Sequence, residues 1–261
     1  MIQHFEISID SELALCKEFL KLDQRNFHCW NYRRFLVEKS VEKGGEGDEQ
    51  EGKGGNQQFI QEMEFSTEKI KENFSNYSAF HHRSLYIKTL LSEMCIEDIL
   101  QPELTIIESA IFTEPDDQSA WWYQQFLLVW VSKVLKQEAN EHLFAWFYTV
   151  LEAQLVMVES LLEIEVGSKW AMNSIILMLN LLLLDVRLFY RANVKLIREE
   201  GGGGGGGGGG DGGSMVEKEK EEEEVELEAV WLRRKRDLLT TLLNIDSLHT
   251  NRYKYLLAQI E

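Results

Sequence analysis

Proline is almost missing from this sequence, with two residues in 261. Glycine is missing from most of it as well. Of 19 glycines, six lie in 44–55 and twelve in 201–213, and Gly167 stands alone between them. Glycine is costly inside helices and is needed for most tight hairpin turns. A body without it is unsuited to an all-β, Rossmann-like or P-loop fold, and no GxGxxG or GxxxxGK[ST] stands outside the two glycine runs. Cysteine is scarce too. Cys16, Cys29 and Cys95 are odd in number, far apart and form no CxxC, which argues against a disulfide framework or a cysteine zinc site. Long apolar runs are absent. The most apolar stretch, Ile175–Leu184, is half the roughly 20 residues a bilayer needs, so it is expected to be a buried helix. The opening MIQHFEISID carries acids and no signal-peptide run. These absences predict a cytoplasmic protein with no transmembrane segment and no metal site of its own.

A basic excess is also lacking. The net charge is −17, with 44 acidic and 27 basic side chains, which argues against a nucleic-acid binder. Segments 40–55 and 211–228 account for −10 of it. The folded body is therefore only mildly acidic. The windows 41–58 and 200–224 read as disordered inserts, because glycine and acidic residues offer little apolar surface to offset ordering entropy. Around them, 1–261 reads as one helical-repeat domain.

What is present is helical spacing throughout. Phe144, Phe147, Leu151, Leu155, Val158 and Leu162 keep one face over five turns, and Ala120, Tyr123, Leu127, Trp130 and Val134 do the same. Asp10 or Ser11, Asn26, Asn76 and Asp117 are placed to cap helix starts.

The stronger signal is an internal repeat. DQRNFHCWNYRRF (23–35), NFSNYSAFHHRSLY (73–86) and PDDQSAWWYQQFLL (115–128) align without gaps. Trp30, Phe80 and Trp121 share one register. Asn26, Asn76 or Asp117 stands four residues before the aromatic, and Arg33, Arg83 or Gln124 three residues after. Each segment follows another amphipathic helix, so the fold class expected is all-α, a series of stacked helical hairpins. The polar residue after the aromatic lies on nearly the same helix face, one turn along. Two weaker units follow, at 161–179 with Trp170 as its aromatic and at 238–256, where the signature has decayed as a capping unit's would.

This Asn-x3-Trp-x2-Arg repeat resembles that of protein prenyltransferase α subunits. RNFHCWNYRRF (25–35), NFSNYSAFHHRS (73–84) and FTEPDDQSAWWYQQFLL (112–128) are most similar to the Rab geranylgeranyltransferase branch of that family. The resemblance implies an α/α superhelix that wraps a separate β subunit. It implies transfer of geranylgeranyl from its diphosphate to C-terminal cysteines of Rab GTPases presented by an escort protein. It implies no cofactor in this chain and a zinc ion in the β subunit, with activity only as the heterodimer. Members of the family carry about two further repeats ahead of the one at 23–35, including a lysine at the diphosphate, and no residue of this sequence aligns with it. Two alternatives stay open: a non-catalytic helical-repeat scaffold, and the α subunit of a farnesyl or type I geranylgeranyl transferase.

By the resemblance, His28 lies at the rim of the shared cavity near the diphosphate, where it would stabilise charge on the leaving group. Arg25, Asn26 and Phe27 belong to the same rim. The plainer reading of His28 is a surface histidine. Arg33 and Arg83, with Asn76, Tyr77, Asp117 and Gln124, read either as structural repeat contacts or as contacts to the β subunit. Trp30, Phe80, Trp121 and Trp170 read as core. His81 and His82 point apart on a helix and do not suit a shared metal. DDQSA (116–120) lacks the third acid of a DDxxD magnesium motif, so Asp117 reads as a helix cap.

Overall fold

The computed structural model describes residues 8–44, 53–138, 140–186 and 212–260. Among the described residues there is no strand. The helices are α1 (Ile9–Leu22), α2 (Phe27–Gly44), α3 (Lys53–Glu72), α4 (Tyr77–Tyr86), α5 (Ile96–Thr113), α6 (Gln118–Glu138), α7 (Glu141–Ile164), α8 (Lys169–Asn180), α9 (Gly212–Ile245) and α10 (Thr250–Leu257). A 3₁₀ turn, Ile87–Ser92, continues α4, and a π-helical turn, Leu181–Val186, follows α8.

The chain divides into two compact units, Met1–Leu127 and Leu128–Glu261. The first holds the hairpins α1–α2 and α3–α4 and the turn from α5 into α6. The second holds the hairpins α7–α8 and α9–α10.

The hairpin turns share one construction. Asn26, Asn76, Asp117 and Ser168 each donate their backbone N–H to the carbonyl three residues earlier, at 3.0–3.2 Å. Each side chain then caps the helix that follows. The Asn26, Asn76 and Asp117 side chains accept from the amides of Cys29, Ala79 and Ser119, and Ser168 accepts from Ala171. A cap of this kind stabilises a helix by about 1 kcal/mol. Among the described glycines Gly167 alone has a positive φ, +97°, which lets the fourth turn close. The expected cap at Asp10 or Ser11 is not used, since α1 begins at Ile9 after Ser8.

The register aromatics are buried as predicted at Trp30, Phe80 and Trp121, but Trp170 is half-buried. The hydrogen bonds explain the difference. Trp30 and Phe80 donate backbone N–H to the carbonyl of their capping residue, and the residue doing so in the fourth hairpin is Met172, to Ser168. Met172 therefore holds the register and is buried, while Trp170 corresponds to the exposed His28 position. The fifth hairpin keeps the plan. Asp246 donates to the carbonyl of Leu242 as Asp23 does to that of Phe19, His249 takes the cap position, and Tyr253 is the buried aromatic.

Helices reach into both windows read as inserts from composition. α2 runs to Gly44 and α3 begins at Lys53, and α9 begins at Gly212. Strong amphipathic segments propagate helix into flanking polar turns once nucleated. Residues 45–52 and 187–211 lie outside the described residues.

The second unit packs Phe144, Phe147, Leu151 and Val158 of α7 with Ile175, Ile176 and Leu179 of α8, as the periodicity required. Leu238, Leu239 and Leu242 of α9 close this core against α8.

Candidate functional site

In the first unit the turns form a ladder. Arg25 Nη2 donates to the Ser75 carbonyl at 2.9 Å, and Asn73 Nδ2 donates to Gln24 Oε1 at 3.0 Å. Asn76 Nδ2 donates to the Gln24 carbonyl at 3.3 Å. The Ser75 hydroxyl donates to Glu114, and Ser119 Oγ donates to the Ser75 carbonyl at 3.3 Å. Arg25, expected at a substrate rim, thus ties the first turn to the second, and Asn26 caps α2.

Below the turns lie two buried joints. Arg33 on α2 grips Glu62 on α3, with Nε to Oε2 at 2.8 Å and Nη2 to Oε1 at 2.6 Å. Its Nη1 donates to the Leu13 carbonyl at 3.2 Å, and its guanidinium lies 3.6 Å from the centre of the Phe65 ring. Arg83 on α4 grips Glu103 on α5 in the same way, at 2.6 Å on both arms. Its Nη1 turns to the Met63 carbonyl, Ser66 and Thr67. A second group completes each carboxylate: His82 Nε2 lies 2.8 Å from Glu62, and the Tyr123 hydroxyl donates to Glu103 at 2.8 Å. The two arginines therefore hold hairpin to hairpin and are not presented to a partner. Forked charge-assisted pairs of this kind fix geometry as well as contributing energy.

The aromatics seal the joints. Trp30 lies against Phe65 and His82, and Phe80 against Tyr123. Trp30 and Trp121 each donate Nε1–H to a turn carbonyl, of Gln24 and Pro115, at 2.9 and 2.8 Å. Gln124 is buried at the arginine register of the third repeat.

Electrostatics within the first joint are set by burial and pairing. Burial alone would raise the Glu62 carboxyl, but hydrogen bonds from His82 and Arg33 outweigh it and hold it below 4.5. Burial lowers His82 below its ordinary 6.5 despite the opposing pull of Glu62, with the charge of Arg33 and His81 adding to the shift. Below pH 6.5 the unfolded chain therefore takes up the proton first, and stability falls as pH falls. Loss of the Glu62 charge extends that fall below pH 4.5. A His82→Tyr variant keeps a donor to Glu62, as Tyr123 does for Glu103. Urea unfolding should show its stability level between pH 6.5 and 5, while the parent's declines.

The exposed side of the second helices is different in character. Phe27, Asn31 and Phe35 on α2, Tyr77, His81 and Leu85 on α4, and Gln118, Trp122 and Phe126 on α6 occupy equivalent i, i+4, i+8 positions. Phe27, Phe35, Tyr77 and Leu85 are exposed. Tyr77 meets Trp122 at 5.2 Å and His81 at 6.0 Å, Trp122 stacks on Phe126, and Lys88 lies over Phe126 at 5.4 Å. His28 stands at the border of this stripe, exposed, its ring 3.9 Å from that of Phe27. The structure thus groups His28, Phe27 and Tyr77 with the stripe, Arg33 and Arg83 with the joints, and Arg25 with the turn ladder. Glu62 and Glu103 were missed in the sequence. Among the described residues no group of three or more His, Cys, Asp or Glu side chains is placed to hold a metal ion. Among them no helix is long and apolar enough to cross a membrane.

A ladder of capped turns over buried arginine joints defines a helical-hairpin repeat protein. Residues 9–40, 59–90 and 100–131 match the protein prenyltransferase alpha subunit repeat. This chain carries three matches to that repeat over less than half of its length. It is similar to the pig (Sus scrofa) protein named geranylgeranyl transferase type-2 subunit alpha, 39% identical over 45% of this chain and 19% of that one. The Schizosaccharomyces pombe protein of the same name is 29% identical over 63% of this chain and 48% of its own length. The Arabidopsis thaliana geranylgeranyl transferase type-2 subunit alpha 2 is 30% identical over 55% of this chain and 21% of its own. The chain thus spans between a fifth and a half of the length of these relatives.

Proposed function

We propose that this chain is the α subunit of a Rab geranylgeranyltransferase, supporting transfer of geranylgeranyl from its diphosphate to C-terminal cysteines of Rab GTPases. The observation that carries the reading is the aromatic stripe on α2, α4 and α6. It presents rings from three successive repeats in one register, on a scaffold whose relatives bear that subunit's name. Aromatics exposed at Phe27, Phe35 and Tyr77 and half-buried at Trp122 and Phe126 suit a protein interface. The occupant proposed is the β subunit, which would also carry the zinc ion that activates the cysteine thiolate. Escort protein and Rab would approach the assembled pair in the cytoplasm.

In this reading His28 is the polar group at the edge of the interface. Its imidazole, unclaimed by any described hydrogen bond, would donate to a diphosphate oxygen as the isoprenoid bond breaks. Loss of one such donor costs about a hundredfold. A His28→Ala heterodimer should therefore show a single-turnover rate reduced by about that factor, with assembly unchanged. Co-expression with a type-2 β subunit tests the whole reading. The expected product is a one-to-one complex that prenylates a Rab tail only with escort protein present. A complex that forms without transfer would make the chain a non-catalytic scaffold, and a chain that ignores the β subunit would remove the reading.

A further inference from the structure

The first hairpin carries two thiols where the next two hairpins carry none. Cys16 on α1 stands fourteen residues before the register aromatic Trp30, and Cys29 on α2 stands one before it. The same two positions hold Ser66 and Ala79 in the second hairpin and Ile107 and Ala120 in the third. All four of those side chains are buried, so packing alone asks for no sulfur at either place. A thiol at both adds a chemistry the other pairs lack.

The two thiols lie together across the hairpin. Cys29 Sγ donates to the Cys16 carbonyl at 3.4 Å, and the two Sγ groups are within hydrogen-bonding reach of each other. Cys16 is 3% exposed, whereas Cys29 is half-buried, so a reagent from solvent meets Cys29 first. Burial pushes both thiols up, Cys16 to about 12. At Cys29 a hydrogen bond from Cys16 and the charge of Arg33 oppose the rise, so Cys29 is the first to ionise. The third cysteine, Cys95, is exposed at the start of α5.

We infer that Cys16 and Cys29 form a redox-modification site that reacts with a small disulfide of the glutathione class and closes into a cross-link between the two helices of the first hairpin. The Cys29 thiol gives its proton to water, and its thiolate attacks one sulfur of the reagent. The reagent's S–S bond breaks, and one glutathione leaves with the electron pair and is protonated by water. Cys16, its proton passed to water in turn, attacks the Cys29 sulfur and expels the second glutathione. Two protein thiols are oxidised to one disulfide, and one glutathione disulfide is reduced to two glutathiones. A reducing compartment keeps the pair open, and an oxidising shift closes it. The bond spans the turn 23–26 and ties α1 to the first turn of α2, where the Asn26 side chain caps the Cys29 amide.

The test treats the whole chain with glutathione disulfide, blocks the remaining thiols with an alkylating agent and maps the peptides by mass spectrometry. The expected product joins Cys16 to Cys29, while Cys95 carries one glutathione and so shows that the reagent acted. Dithiothreitol should restore all three thiols. A Cys16→Ala variant should hold glutathione on Cys29, with no second thiol to expel it, and a Cys29→Ala variant should leave Cys16 unmodified. In the cross-linked chain the amides of 17–28 should exchange about tenfold slower or more. Cys29 keeping its glutathione in the parent chain, or staying free while Cys95 reacts, would overturn the site. Unchanged exchange would overturn the tie between the helices.

Discussion

An Arg83→Met variant should lose about 3–5 kcal/mol of stability in the first unit, read as a lower urea midpoint. The guanidinium is buried and spends its donors on Glu103, the Met63 carbonyl, Ser66 and Thr67. Burial disfavours its charge, but Glu103 outweighs that and raises its pKa further. Removing it leaves the Glu103 carboxylate buried with Tyr123 as its described donor. The cost is chiefly that of an orphaned charge, not the net value of the pair. Replacing all three groups, in Arg83→Met, Glu103→Leu, Tyr123→Phe, should therefore recover most of the loss. A triple variant as unstable as the single one would show that the joint's geometry itself, and not charge compensation, sets the stability.

Trp121→Ala should cost a similar amount, about 3–5 kcal/mol. The indole is fully buried and donates to the Pro115 carbonyl at 2.8 Å, so the change empties a large volume and frees a turn acceptor. Trp121→Phe separates the two effects: it retains most of the ring and should cost about 1–2 kcal/mol. Trp170→Ala is the contrast. Half-buried, with Lys169 over its ring at 5.2 Å, it should cost less than about 1.5 kcal/mol, measured by denaturant unfolding of the second unit.

That contrast marks where the sequence could and could not be read. The capping Asn or Asp and the aromatic four residues on lie in one continuous segment, so local chemistry fixed the first three turns. In the fourth hairpin the indole stands two residues after Ser168, while the register position is held by Met172, a residue with no aromatic signal but the right backbone bond. Glu62 and Glu103 were hidden for another reason. Glu62 shares its segment with Glu64 and Glu68, which are exposed, and composition does not tell one acid from the next. The constant spacing of eighteen residues to the following aromatic was present in the sequence, and it would have singled out Glu62 and Glu103 together. The role of Arg25 was not legible at all, because its acceptor, the Ser75 carbonyl, lies fifty residues away and carries no side-chain signature.

Buried joints hold the repeats together, and the aromatic stripe on their second helices is the proposed contact with the β subunit. Hydrogen exchange of the chain, alone and with a type-2 β subunit, tests it most directly. Slower exchange is expected in 27–35, 77–85 and 118–126 on complex formation, with the first helices of the hairpins little changed. Protection confined to those first helices, or no protection at all, would contradict it.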